Sequence, residues 1–180
     1  MNDGPSGPLL VELFLEGCRI SGVTDKVENR RRLVDLLNGQ ETMLELEEAK
    51  VTYAGEREPR LYNLLAIEKR SILVAIPRET QQQNRQRAML TSMVGRAQTM
   101  QVPAAILIPP MTIEGMVHVP PGSGRIRPEP EKFTHFFPLT VARISTGDGF
   151  FQEAPVALVN RDLIVGMSIM TDSMPKASSF

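Results

Sequence analysis

Cysteine, tryptophan and histidine are scarce in this sequence: its 180 residues include one Cys, no Trp and two His. The lone Cys18 cannot form an internal disulfide, which excludes a disulfide-stabilised secreted scaffold and a cysteine-rich zinc site. Two histidines are too few for a His-cluster metal site. With only two tyrosines, the chain also offers few aromatic platforms on which nucleic-acid bases stack. We therefore predict neither a metal nor a cofactor.

Net charge is also close to zero. Twenty Lys and Arg residues oppose twenty-one Asp and Glu residues, so no global field recruits nucleic acid or an anionic membrane. Residues 1–8 contain neither the basic region nor the apolar run of a signal peptide, and no segment approaches the roughly 18 apolar residues of a membrane span. The sequence predicts a cytoplasmic protein without a membrane segment.

The main positive feature is a pattern that occurs twice. The first three of its matches are 93 positions apart (20 to 113), and the last is 91 positions apart (66 to 157), which implies that the second copy has lost two residues. Three collinear blocks indicate an internal duplication. The matched positions are Ile20 with Ile113, Gly22 with Gly115, residues 43–51 with 136–144, and Ala66 with Ala157.

Each copy has the apolar–polar alternation of short strands. In residues 43–53, Leu44 and Leu46 point to one side, and the alternation slips before Ala49, which predicts a β-bulge or a strong bend. The first copy also contains Leu33, Leu36 and Leu37 at helical spacing, which predicts a short helix. Bent strands with one short helix are typical of a small barrel or a curled sheet.

We therefore predict an all-β protein with a minor helix, built from two tandem five-stranded domains. Residues 1–77 form the first copy, 78–102 a linker helix, 103–171 the second copy and 172–180 a C-terminal tail. A copy of about 70 residues has a thin core, so we expect the copies to pack on each other or on further chains.

Several motifs resemble those of a bacterial family of small β-rich domains of unknown function. The first copy has Arg-Leu-Val-Asp-Leu-Leu-Asn at 32–38, and the second has His-Val-Pro-Pro-Gly at 118–122, Phe-Pro-Leu-Thr at 137–140 and Val-Asn-Arg-Asp at 159–162. The resemblance covers nearly all of both copies. It implies a tandem arrangement of this domain and no particular activity.

A second, architectural resemblance is to the Sm-like, SH3-type barrel. The strand ending in Glu16-Gly17, the strand containing Gly22 and the last hairpin at 67–72 are similar to elements of that barrel. Sm-like proteins bind RNA with an Asp-x-aromatic-x-Asn loop and an Arg-Gly pair in the last turn. The last turns here contain Arg70 and Arg161 without a following glycine, and neither copy has the aromatic–Asn loop. The resemblance implies the barrel without the family's RNA site.

Arginines are the strongest candidates for a contact surface. Arg30, Arg31 and Arg32 form the densest basic cluster, and Arg70 and Arg161 occupy the last turns. Guanidinium groups pair with phosphates, but acidic residues flank the cluster and no aromatic residue interleaves with it. This composition favours a solvated face or a protein contact over a nucleic-acid site.

The connector offers a second candidate surface. Met89, Leu90 and Met93 form a narrow apolar stripe at helical spacing. Methionine-rich faces suit partner docking, whereas the simpler interpretation is a linker helix lying across the two domains.

Other chemistry-bearing residues favour structural roles. His118 and His135 have no third ligand at a suitable spacing, and the counterpart of Cys18 is the apolar Met111. No catalytic constellation is present, so we predict that the protein is not an enzyme. The leading hypothesis is a protein–protein interaction or scaffold module that binds a protein partner or itself. The alternatives are an Sm-like nucleic-acid-binding protein and a ligand-binding protein with a pocket between the two copies.

Overall fold

The structure is a computed structural model that describes residues 8–24, 32–78, 100–119, 133–147 and 149–169. These residues form ten strands, one helix and two 3₁₀ turns, which confirms the all-β class. Within these ranges, no helix has the length and apolar character needed to cross a membrane. The strands are β1 Leu9–Leu15, β2 Cys18–Thr24, β3 Met43–Tyr53, β4 Arg60–Glu68, β5 Ile72–Pro77, β6 Met100–Ile108, β7 Met111–Val119, β8 Phe136–Thr146, β9 Phe151–Asn160 and β10 Gly166–Ile169; the helix is α1 Leu33–Leu37, and the turns are T1 Lys69–Ser71 and T2 Arg161–Leu163.

The ten described strands form one antiparallel sheet in the order β10-β6-β7-β8-β9-β5-β1-β2-β3-β4. The first half (8–78) and the second half (100–169) have the same internal order, in which the last strand pairs with the first and a meander follows. Strands β5 and β9 join the halves, with Val74 opposite Val159 and Ala75 opposite Leu158. Among the described strands, neither half closes on itself, so the predicted barrels are open and the sheet continues from one half into the other.

The bend predicted in residues 43–53 is confirmed. The pairing of β2 with β3 shifts register between Ser21 and Val23, opposite residues 47–50 of β3. Glu48 has a φ of 49°, in the left-handed region that non-glycine residues seldom adopt. Gly22 faces this bulge, because a Cβ on Gly22 would lie 3.0 Å from the backbone oxygen of Glu47.

The second half has an equivalent bulge facing a glycine, 93 positions later (48 to 141). Val141 has a φ of 52°, and the pairing of β7 with β8 shifts register next to Gly115. A Cβ on Gly115 would lie 2.8 Å from the Leu139 side chain and 2.9 Å from the backbone oxygen of Thr140. Each half therefore bends where a glycine admits the close approach of the bulged strand.

The third repeated block lies in a different register from the one predicted. Strand β3 pairs Leu46 with Leu65, and β8 pairs Leu139 with Ala157. With β3 aligned on β8, Leu65 is the counterpart of Ala157, at an interval of 92 (65 to 157). The sequence comparison instead matched Ala66 with Ala157, because it relied on chemically similar side chains. A slip of one residue exchanges the two faces of a strand, so only the pairing itself decides the register.

The backbone of the two turns agrees with the interval of 92. The N–H of Lys69 donates to the carbonyl oxygen of Thr42 at 2.9 Å, and the N–H of Arg161 donates to that of His135 at 2.7 Å. Thr42 and His135 are themselves 93 positions apart. Lys69, rather than Arg70, is therefore the counterpart of Arg161.

Each half supplies apolar side chains to the core of the other. The first-half core, which contains Leu13 and Leu46, includes Phe136 and Leu158 of the second half. None of the exchanged residues is more than 6% exposed, so the halves form one packed unit around the β5–β9 junction. The second-half core takes four side chains from the first half, Phe14, Leu73, Val74 and Ile76.

Asn38, at the end of α1, adds polar bonds between the halves. Its Nδ2 donates to the carbonyl oxygen of Phe136 and its Oδ1 accepts from the N–H of Phe136, both at 2.8 Å. The same Nδ2 donates to the carbonyl oxygen of Val34, and Lys69 Nζ donates to that of Leu36. These bonds satisfy carbonyls at the helix end and fix α1 against β8.

Candidate functional site

Turns T1 and T2, which contain the predicted contact residues Arg70 and Arg161, lie side by side. Because β9 pairs with β5, Asn160 at the end of β9 reaches the start of β5. Asn160 is 3% exposed, and its Nδ2 lies 2.9 Å from the carbonyl oxygen of Ile72 and 3.5 Å from that of Arg70. The structure thus brings two predicted contact residues to one surface. We define the turn site as Arg70, His135, Asn160, Arg161 and Asp162.

Each described arginine that was predicted as a contact is paired with a carboxylate close to it in sequence. A carboxylate beside a guanidinium offsets its charge and occupies part of its donor set, so it competes with a phosphate for that arginine. This arrangement weakens the case for a phosphate-binding surface. Arg30 and Arg31 lie outside the described residues. The pairs are Arg32 with Asp35 at 3.2 Å, Arg70 with Glu68 at 2.6 Å, and Arg161 with Asp162 at 2.9 Å.

His135, Asp162 and Arg161 form a polar network within the turn site. His135 Nδ1 lies 2.7 Å from Asp162 Oδ2, and Arg161 Nη1 donates to the carbonyl oxygen of Phe133 at 2.7 Å. Desolvation acts to raise the pKa of Asp162, but hydrogen bonds from His135 and Arg161 outweigh it and lower that pKa below its ordinary value. An imidazole, a carboxylate, a guanidinium and a carbonyl order a turn; they do not form the nucleophile–base pair of covalent catalysis.

The lowered pKa of Asp162 predicts a specific acid sensitivity. An ionised Asp162 stabilises the folded state above the pKa of an unfolded aspartate, about 3.9, and this contribution is lost as the pH falls through the lower folded-state pKa. We expect Asp162→Asn to be less stable than wild type at about pH 5 and the difference to shrink as the pH falls towards the lowered folded-state pKa of Asp162. The difference should be below about 1 kcal/mol, because the side chain is half exposed.

Urea unfolding across this pH range measures the effect. Glu153→Gln, at an exposed carboxylate paired with Arg143, is the matched control for a general loss of surface charge. A difference between wild type and Asp162→Asn that does not change with pH would contradict the prediction.

A buried carboxylate, Glu12 on β1, was missed by sequence reasoning. Glu12 is 6% exposed and receives Arg78 Nε at 2.9 Å, Gln152 Nε2 at 2.9 Å and Arg19 Nη1 at 3.4 Å. Alternation along β1 places Glu12 on the face opposite the first-half core, which a strand pattern assigns to solvent. The second half covers that face through Gln152. Arg78, which directly follows β5, was the sequence feature that could have indicated a buried carboxylate on a neighbouring strand.

Cys18 lines a pocket of about 310 Å³ on the first half. Leu15, Tyr53, Tyr62 and Leu65 also line this pocket, so its wall is mainly apolar. Burial raises the pKa of the Cys18 thiol, which keeps it protonated and weakly nucleophilic near neutral pH. This pocket lies beside β4 and not between the halves, where the ligand-binding alternative placed its site.

Part of the predicted surface falls outside the described residues. Met89, Leu90 and Met93 of the candidate docking face lie there, together with residues 79–99 of the predicted linker helix. At the described end of that segment, strand β6 begins at Met100. In the part of the chain that the structure describes, no three His, Cys, Asp or Glu side chains are grouped so as to hold a metal ion.

Comparisons with protein-family models, with curated proteins and with solved structures found no match to this chain. The resemblances to the bacterial domain family and to Sm-like barrels therefore rest on the sequence motifs.

Proposed function

We propose that this protein is a non-enzymatic protein-interaction or scaffold module built from two tandem SH3- or Sm-like units. The common strand order of the halves and their equivalent bulges support the tandem arrangement. The proposed ligand is a protein, either a partner or a second copy of the chain, and the proposed location is the cytoplasm.

The observation that carries this proposal is the pair of unpaired sheet edges. Among the described strands, β4 pairs only with β3, and β10 pairs only with β6. Leu61 and Leu64 on β4 are 71% and 61% exposed, and Val165 beside β10 is 66% exposed. Edge strands of monomeric proteins are usually protected by charge, proline or a covering segment. Exposed apolar edges are typical of surfaces that bind another protein.

The turn site also favours protein binding over nucleic-acid binding. Its two arginines already face Glu68 and Asp162, and these carboxylates offset the arginine charge and compete with a phosphate for the guanidinium donors. Large aromatic side chains also stack on the bases in proteins that bind single-stranded nucleic acid, and the turn site contains no Phe, Tyr or Trp.

Native purification followed by light scattering tests the proposal. We expect a mass above that of one 20.0 kDa chain, from self-association or from an identified protein that stays bound. A strictly monomeric chain that retains no protein would overturn the proposed function. Salt-dependent binding of single-stranded RNA that is lost on Arg30/Arg31/Arg32→Ala would replace it with the nucleic-acid alternative.

A further inference from the structure

The two strands that join the halves have counterparts at the two ends of the sheet. Strand β9 is the fourth strand of the second half, as β4 is of the first; β5 and β10 are the last strands of their halves. Strands β5 and β9 pair with each other, whereas β4 and β10 are the edges of the described sheet. The two edge strands of the described sheet are therefore the counterparts of the two strands that pair at the internal junction.

At the β10 edge, apolar residues are exposed where their first-half counterparts are buried. Phe14 and Leu73 lie at the internal junction and are 6% exposed. Their counterparts, Leu107 and Val165, are 46% and 66% exposed. The difference arises because Phe14 and Leu73 enter the core of the other half, whereas no described strand lies beyond β10.

The β4 edge shows the complementary difference. Phe136 and Leu158 of the second half enter the first-half core and are 2% and 3% exposed. Their counterparts Met43, at 41% exposure, and Ala66 are both exposed. At these four positions, Met43, Ala66, Leu107 and Val165, the exposed residue is one whose counterpart crosses the internal junction.

The pocket beside β4 fits this pattern. Leu15 and Cys18 line it, and their counterparts Ile108 and Met111 belong to the buried cluster that receives Phe14. In the second half, the counterparts of these pocket residues thus belong to a core that includes side chains of the neighbouring half. Leu107, the counterpart of Phe14, is the side chain that a second copy would bring to the pocket.

From these counterparts we infer that chains associate head to tail, with β4 of one copy pairing antiparallel with β10 of the next. This inference rests on the proposed function and names its partner as a second copy of the chain. The register follows from the internal junction: Ile67 lies opposite Gly166, and Ala66 opposite Met167, as Val159 lies opposite Val74 and Leu158 opposite Ala75. Such a contact joins two different surfaces, so it produces a closed ring or an open fibre rather than an isologous dimer.

One difference makes the contact between chains weaker than the internal junction. Asn160 donates to the carbonyl oxygen of Ile72 across the internal junction, but its counterpart Glu68 is a carboxylate that cannot donate. We therefore expect reversible, concentration-dependent association. Glu68→Asn should restore the missing bond and tighten the association about fivefold.

Charge substitutions at the two edges test the inference by complementation. Ala66→Glu blocks the β4 edge and Val165→Glu blocks the β10 edge; both residues are exposed in the single chain, so folding should be retained. Each variant alone should associate at least about 100-fold more weakly than wild type, because the new carboxylate would be buried without a partner. An equimolar mixture should form a dimer, since each variant keeps the edge that the other has lost.

Sedimentation velocity with wild type, each variant and the mixture gives the result. Phe151→Glu, at a residue 60% exposed on the central strand β9, is the control and should associate as wild type does. A wild-type chain that stays monomeric, or a mixture that stays monomeric, overturns the inference. A monomeric chain that retains an identified different protein leaves the proposed function standing, whereas a monomer with no bound protein removes both.

The register is tested separately by cross-linking in a Cys18→Ala background. Chains with Ala66→Cys, mixed with chains with Met167→Cys, should yield a cross-linked dimer with a short thiol-specific reagent, because the two residues lie directly opposite each other. Either variant alone has a single reactive edge and should yield no dimer. A dimer from one variant alone would indicate an isologous contact and overturn the head-to-tail arrangement.

Discussion

The Arg78→Met variant is expected to lower the free energy of unfolding by about 2–3 kcal/mol. Arg78 supplies the closest donors to Glu12, whose side chain is only 8% exposed. Arg19 and Gln152 remain, but Arg19 lies 3.4 Å away and Gln152 carries no charge. The loss arises from leaving a carboxylate in the protein interior with too few donors, not from the attraction of an exposed ion pair.

A double-mutant cycle identifies this cause. Glu12→Leu should cost less than Arg78→Met, about 1 kcal/mol, because the two arginines are 44% exposed and can turn to water. The double variant Glu12→Leu/Arg78→Met should therefore be more stable than Arg78→Met alone. Arg143→Met, which breaks an exposed pair with Glu153, should cost less than about 1 kcal/mol. Additive effects of the two substitutions in chemical denaturation would contradict this account.

Gly115→Ala is expected to destabilise the protein by about 2–3 kcal/mol. The new Cβ would lie 2.8 Å from the buried Leu139 side chain and 2.9 Å from the backbone oxygen of Thr140. The Thr140 oxygen belongs to the bulged strand, so the substitution requires either a shift of β8 or the loss of the bulge. Leu139 is fully buried and cannot move aside without disturbing the second-half core.

Two other glycines provide a graded comparison. Gly22→Ala should cost about 1–2 kcal/mol, since its new contacts begin at 3.0 Å, with the backbone oxygen of Glu47. Gly147→Ala should change stability by less than about 0.5 kcal/mol, because nothing lies within 4 Å of its Cβ position. Thermal and urea unfolding of the three variants measures the order. Equal effects at Gly115 and Gly147 would show that close approach is not the cause.

Local sequence patterns were sufficient for features that depend on neighbouring residues. The slip of alternation between Leu46 and Ala49 predicted the bulge, and the leucines at 33, 36 and 37 predicted α1. These patterns succeed because a bulge and a helical turn are determined within a few residues. The all-β class follows from the same alternation, repeated along the chain.

Features that depend on the junction between the halves could not be predicted in this way. Alternation assigns Glu12 and Phe14 to the outer face of β1, and a single half would leave that face in water. Their burial is decided by residues of β9 and by Phe150, more than 130 positions later in the sequence. The register error at Ala66 has a related origin, since chemical similarity along one strand contains no information about its partner. The pairing of Arg70 with Glu68 and of Arg161 with Asp162 depends on side-chain direction in the turns, which spacing alone does not fix.

The exchange of core residues between the halves has a consequence for biosynthesis. The ribosome releases residues 8–78 first, yet the core around Leu13 and Leu46 is complete only when Phe136 and Leu158 have also emerged. Until then the nascent first half exposes the face of β1 that carries Phe14 and one edge of β5. Such surfaces are where nascent chains aggregate or recruit chaperones. The first-half core is therefore completed only after β9 has left the ribosome, and the interval before that is when the nascent chain exposes these surfaces.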